Sequence, residues 1–320
     1  MRTKKYLVIS LLIFSLIASA CSHSEPIPTA PGTIVFQGST PGDDLIKSLL
    51  TIPANSKVDF IRWNLTLNTI SSNRSAFSLS IVFGEVQQNS LGFKGGGSKL
   101  SIKGEYKISE FDTPNLKGTT YHLKSNQLPS GIMLYRVNDN LMQIMETPDI
   151  LMNGNAGWSY TLNRLNPVIS SLPEFEIQSP ASQLLTDNSD TTSVFQGRTL
   201  CNPFLLSVNG ISASGCNRIK WELTLNQDSK THLPTTFLLK AIYVGMGDVV
   251  YTQVGNWETG KAKKTNSESI VYLLKLRDSK DPENLVFVRG DNNILFFLDN
   301  ERNLLIGNGD HSFTLNRKIK

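Results

Sequence analysis

The residues best suited to chemistry in this 320-residue chain are three cysteines, four histidines and six methionines. Cys201 and Cys216 stand fifteen positions apart. That spacing is not CxxC, so it suits a structural disulfide better than a redox or metal pair. A metal or redox role is the other reading of the two thiols. Met133, Met142, Met145 and Met152 crowd one stretch, and thioethers favour Cu(I). His23, His122, His232 and His311 are scattered with no ligand spacing among them. They read as isolated surface or half-buried imidazoles. Gly95-Gly96-Gly97-Ser98-Lys99 lacks the spacing of a phosphate loop and reads as a hairpin loop. Asp291-Asn292-Asn293 lacks the glycine and distal glutamate of a calcium loop and reads as a turn. No acid, base and nucleophile recur together, so the expectation is no enzyme, no cofactor and no metal site.

The third cysteine has a different setting. Arg2, Lys4 and Lys5 precede an apolar run from Tyr6 to Ala20, too short for the roughly 20 residues of a membrane-spanning helix. Small residues close the run directly before Cys21, the pattern of an export signal. Ile17-Ala18-Ser19-Ala20-Cys21 resembles the lipobox of bacterial lipoproteins. The resemblance implies cleavage after residue 20 and lipid on the Cys21 sulfur, giving a membrane as first partner. Ser22 stands where an inner-membrane retention signal of such lipoproteins has Asp. This implies the outer membrane, facing the periplasm. Residues 21–33 hold three prolines and little to bury, as a tether does.

Of the formal charge of +4, three positive side chains belong to the leader, leaving +1 on the mature chain. That balance offers no broad basic surface for nucleic acid.

The elements that carry these residues come in two copies. Val35-Phe36-Gln37-Gly38 recurs as Val194-Phe195-Gln196-Gly197. Ile61-Arg62-Trp63-Asn64-Leu65-Thr66-Leu67-Asn68 recurs as Ile219-Lys220-Trp221-Glu222-Leu223-Thr224-Leu225-Asn226. Ser159-Tyr160-Thr161-Leu162-Asn163-Arg164 recurs as Ser312-Phe313-Thr314-Leu315-Asn316-Arg317. The boundaries this implies are copy one over 34–166, a Pro- and Ser-rich linker over 167–192, and copy two over 193–320. Each copy repeats the full set of apolar blocks and is expected to fold as a unit.

Within a copy the apolar residues alternate. Ile61, Trp63, Leu65 and Leu67 share one face, and Arg62, Asn64, Thr66 and Asn68 the other. Seven to nine such short strands, separated by turns such as Asn138-Asp139-Asn140, predict an all-β fold. The expected architecture is two tandem antiparallel meander β-barrels, lipocalin-like or OB-like, with a β-sandwich as alternative. Trp63 and Trp221 are equivalent and face the apolar side. They are core residues or the aromatic wall of a ligand cavity. The duplication maps the four methionines onto Val286, Leu295, Leu298 and Leu305, which favours a packing role over a copper site.

The strand Ile219 to Leu225, the Gly255-Asn256-Trp257 segment, and Asn293-Ile294-Leu295 followed by Leu298-Asp299 resemble, in that order, the N-terminal domain of NlpE-like copper-resistance lipoproteins. Copy one carries the same elements with Tyr106 at the place of Trp257. The resemblance implies a small β-barrel on an envelope lipoprotein. The CxxC of that family is missing. The functional expectation is a non-catalytic envelope lipoprotein that binds an envelope protein or a small apolar ligand, in stress sensing or adhesion. Copper handling is the alternative.

Overall fold

Alternation with period two becomes strand after strand. The computed structural model describes residues 32–71, 74–88, 90–113, 116–169, 174–180, 191–208, 210–211, 214–264, 267–276 and 285–319. The leader, Cys21 and nearly all of the tether lie outside the described residues.

The first copy runs β1 (Gly32–Pro41), α1 (Asp44–Leu49), β2 (Phe60–Ser71), β3 (Arg74–Gly84), β4 (Ser98–Asp112), β5 (Lys117–Ser125), β6 (Leu128–Arg136), β7 (Leu141–Thr147), β8 (Ile150–Leu151) and β9 (Thr161–Arg164). Each strand from β1 to β7 pairs antiparallel with the next. β9 then bridges β7 and β1, closing an eight-stranded barrel. After β10 (Glu176–Pro180), the second copy repeats the order: β11 (Thr192–Thr199), α2 (Pro203–Ser207), β12 (Arg218–Gln227), β13 (Pro234–Val244), β14 (Val250–Lys264), β15 (Ser267–Leu276), β16 (Leu285–Arg289), β17 (Ile294–Phe297) and β18 (Thr314–Arg317). β18 closes it against β11. Closure joins the first and last strands of each barrel, the feature that separates a barrel from the β-sandwich alternative. Eight strands in up-and-down order match the lipocalin-like expectation and not the five-stranded OB topology.

The alternation sorts the faces as expected. Ile61, Trp63, Leu65 and Leu67 are buried in one apolar cluster, and Ile219, Trp221, Leu223 and Leu225 in its counterpart. Registers coincide: Phe36 faces Leu65 and Phe195 faces Leu223. Each short helix drops apolar residues into its barrel, Ile46 from α1 and Leu205 and Leu206 from α2. Asp43 and Asn202 cap them, accepting from the Ile46 and Phe204 amides. Gly38 and Gly197 let β9 and β18 approach: a Cβ there would stand 2.7 and 2.5 Å from the Thr161 and Thr314 carbonyl oxygens.

The segment expected as a linker is stitched to both barrels. Glu176–Pro180 pairs with β14, Phe175 is buried, and Asn140 exchanges hydrogen bonds with the Val168 backbone. Asn138 donates to Glu174, whose amide donates to Asn303 of the second copy. The composition of 167–192 that suggests a linker carries no sign of these tertiary partners of its described residues.

A third apolar cluster sits between the barrels. It joins Leu141, Met145 and Leu151 to their counterparts Ile294, Leu298 and Leu304. The two barrels therefore share apolar packing in addition to the separate core of each.

Candidate functional site

The polar face of the closing strands builds the seam. On β9 and β18 the apolar Leu162 and Leu315 point into the barrels, and Thr161, Asn163, Thr314 and Asn316 point out. All four outward residues are buried, because the barrels dock through them. Thr161 and Thr314 share a hydrogen bond of 2.9 Å, and Ser159 and Ser312 one of 2.5 Å. Each residue meets its own counterpart, so a pseudo-two-fold axis passes between them. The same geometry defines an isologous dimer interface, here within one chain.

Away from the axis the symmetry breaks. In copy one, Phe60 stacks on Trp158 with ring centroids 5.0 Å apart and on Phe93 at 4.1 Å. The equivalent positions in copy two hold Arg218 and His311. A shallow polar cleft opens beside His311. Arg198, His311, Ser312, Ser39, Gly157 and Asp310 are among the residues lining it.

His311 is only 7% exposed, and neither ring nitrogen has a hydrogen-bond partner. Burial pushes its pKa down to about 4; Asp310 opposes this, and Arg218 and Arg198 add to it. Burial likewise lowers the Arg198 guanidinium, with Arg218 adding to it. The imidazole was expected to be surface or half-buried, and the structure corrects this. Docking of the barrels covers it, and a single copy's alternation carries no sign of docking. One signal does exist: Ser, Thr and Asn of the closing block are identical in both copies, although outward polar residues are free to vary when solvated.

The other sequence candidates lie elsewhere. Trp63 and Trp221 are buried in the barrel cores, and their indole N–H groups donate to Thr40 and Thr199 at 2.9 Å. Neither lines the cleft. Cys201 and Cys216 form a disulfide with Cα atoms 6.1 Å apart. The equivalent Gly42 and Val58 of copy one touch: a Cβ on Gly42 would lie 2.4 Å from a Val58 methyl. The bond thus joins a pair the fold already brings together. Met142 and Met152 belong to the core of barrel one, Met145 to the shared core, and Met133 packs against the latter. Among the described residues, no three His, Cys, Asp or Glu side chains are grouped to hold a metal.

Two tandem eight-stranded up-and-down barrels docked on a pseudo-dyad define the class of structure. Residues 212–308 match the family described as NlpE N-terminal domain. That stretch contains Cys216, Arg218, Lys220 and Trp257 and lies within the second barrel, so the likeness covers about a third of the chain. No curated protein and no solved structure matches the chain significantly.

Proposed function

We propose that the protein is a lipid-anchored, non-enzymatic component of the outer membrane, facing the periplasm, that recognises its partner on the outside of a rigid two-barrel body. The NlpE-type match over 212–308 supports the envelope setting, and the lipobox-like segment ending at Cys21 supports the anchor. The observation that carries the mode of binding is the packing of Trp63 and Trp221. Each is 3% exposed or less, in a cluster that fills its barrel. An eight-stranded barrel can be filled by side chains or can hold one small ligand; here apolar clusters around Trp63 and Trp221 occupy the interiors, so an apolar ligand would have to displace them. Recognition of an envelope protein, in stress sensing or adhesion, is the reading that leaves both cores intact.

The test has two arms. Cys21→Ala should move the protein from the membrane to the soluble fraction and stop uptake of labelled fatty acid. Continued acylation would sink the anchor. An environment-sensitive apolar dye should gain no saturable fluorescence with the folded wild type. Saturable binding quenched by Trp63→Phe would instead restore an internal ligand.

A further inference from the structure

The pseudo-dyad relates Arg62 to Lys220 and Asp310 to Gly157. On one side of the seam Arg62 is paired with Asp310 at 2.5 Å. On the other side the cation has a glycine where its mate has a carboxylate. The charge there is larger, since Arg198 lies opposite Lys220 in the β11–β12 ladder and Arg218 lies two residues along the same face. Among the described residues none of the three has a carboxylate partner, and the buried Arg218 Nε has no hydrogen-bond partner. A Cβ at Gly157 would stand 4.0 Å from Arg198 Nη1 and 3.2 Å from Asn155 Oδ1, so a side chain there needs only a small shift of Asn155 to reach Arg198.

We infer that this cleft is a binding site for a small oxyanion, a phosphate or carboxylate group, held by Arg198 and His311 beside Gly157. Arg218 adds positive charge next to both. Guanidinium groups match the geometry of both anions. Neutral His311 offers one N–H, and the Ser312 and Ser39 hydroxyls line the same cleft. The Ser39 hydroxyl already donates to the Gly309 carbonyl at 2.7 Å, so it would accept or turn. Asp310 lines the cleft too, but its charge is matched by Arg62. The local balance of Arg62, Arg198, Arg218 and Lys220 against Asp310 stays positive. Burial of an imidazole without partners is costly, and a bound anion would remove that cost. The site is independent of the membrane anchor.

The experiment uses the full mature chain in nonionic micelles, with inorganic phosphate and acetate as probes and sodium chloride at matched ionic strength as control. Melting temperature should rise saturably with at least one oxyanion and not with chloride. A response to phosphate alone assigns a phosphate group, and one to acetate alone a carboxylate. Gly157→Asp should melt higher without added anion and lose the response, because it supplies the missing carboxylate. Arg198→Ala should weaken the apparent affinity on the order of tenfold. In the wild type, the oxyanion should raise the His311 imidazole pKa measured by NMR, a readout that needs no variant to fold. A chloride response equal to both oxyanions, an unmoved His311, or a Gly157→Asp protein that responds like wild type would overturn the inference.

Discussion

Asn163 and Asn316, 153 residues apart, perform the same task on each other's barrel. Asn163 Nδ2 donates to the Asn308 carbonyl at 3.0 Å, and its Oδ1 accepts from the Gly307 amide at 2.8 Å. Asn316 Nδ2 donates to the Asn155 carbonyl at 3.3 Å, and its Oδ1 accepts from the Gly154 amide at 2.9 Å. Both side chains are buried, at 1% and 2% exposed. Truncation would orphan an amide and a carbonyl in the seam. Asn163→Ala and Asn316→Ala should each cost about 2–3 kcal/mol. The pair do not touch the same groups, so the double variant should be close to additive unless the seam opens as a unit. Urea denaturation followed by tryptophan fluorescence checks both, and a loss below about 0.5 kcal/mol would mean the seam is not formed in solution.

The disulfide allows a comparison between halves of one molecule. Cys201–Cys216 closes a loop of fifteen residues, which the chain-entropy model values at about 3 kcal/mol. Gly42 and Val58 keep the same contact in copy one with no bond. Cys201→Ala with Cys216→Ala should therefore fold, and lose on the order of 3 kcal/mol by urea midpoint. Reductant should destabilise the wild type to the same extent and leave the double variant unchanged. Equal sensitivity in both proteins would place the effect elsewhere.

What the sequence made legible was whatever repeats within one copy. Alternation around Trp63 and Trp221 gave strand faces, and the shared blocks gave two barrels of one topology. The equivalence of Met145 with Leu298 already marked that position as apolar. What it faces was not legible, because burial against the other barrel leaves the same pattern as burial in its own core. Asn163 and Asn316 show why the seam escaped notice. Outward polar residues on a strand read as solvated, and only their identity in both copies hinted at a common partner. Arg198 and His311 were harder still, since their counterparts Ser39 and Trp158 differ in chemistry. The site arises from symmetry being broken, which a search for repeats discards.

The methionine stretch sets packing against metal chemistry. Met142 and Met152 are 2% exposed in the barrel-one core, and Met145 is 2% exposed in the shared core. Exchanging Met133, Met142, Met145 and Met152 for Val, Leu, Leu and Leu copies the second half. Apolar swaps of similar volume cost less than about 1.5 kcal/mol each. The quadruple variant should fold with an unchanged copper response. A folded variant that loses Cu(I) affinity in a competitive chelator assay would instead support the copper-handling alternative.

The buried imidazole makes stability depend on pH in a definite window. In the unfolded chain His311 titrates near 6.5, and in the fold its pKa is pushed down to about 4 by burial. Between those values the unfolded state holds a proton that the folded state does not. Stability contributed by the neutral ring is therefore complete above pH 6.5 and is lost progressively as pH falls toward 4. The full loss is on the order of 3 kcal/mol. The charged groups acting on the ring are Asp310, Arg218 and Arg198, and Arg62 is paired with Asp310. His311→Trp restores the residue of the other half and removes the titration. Carboxylates elsewhere affect both proteins equally, so the quantity to read is the difference between them. Urea midpoints at half-unit pH steps, in chloride buffer free of other anions, should diverge from pH 6.5 downward, with the wild type falling faster. Parallel curves would place His311 in contact with water or a hydrogen-bond partner in solution. Added phosphate or acetate should narrow the gap at pH 5, since an anion beside the ring stabilises its charged form.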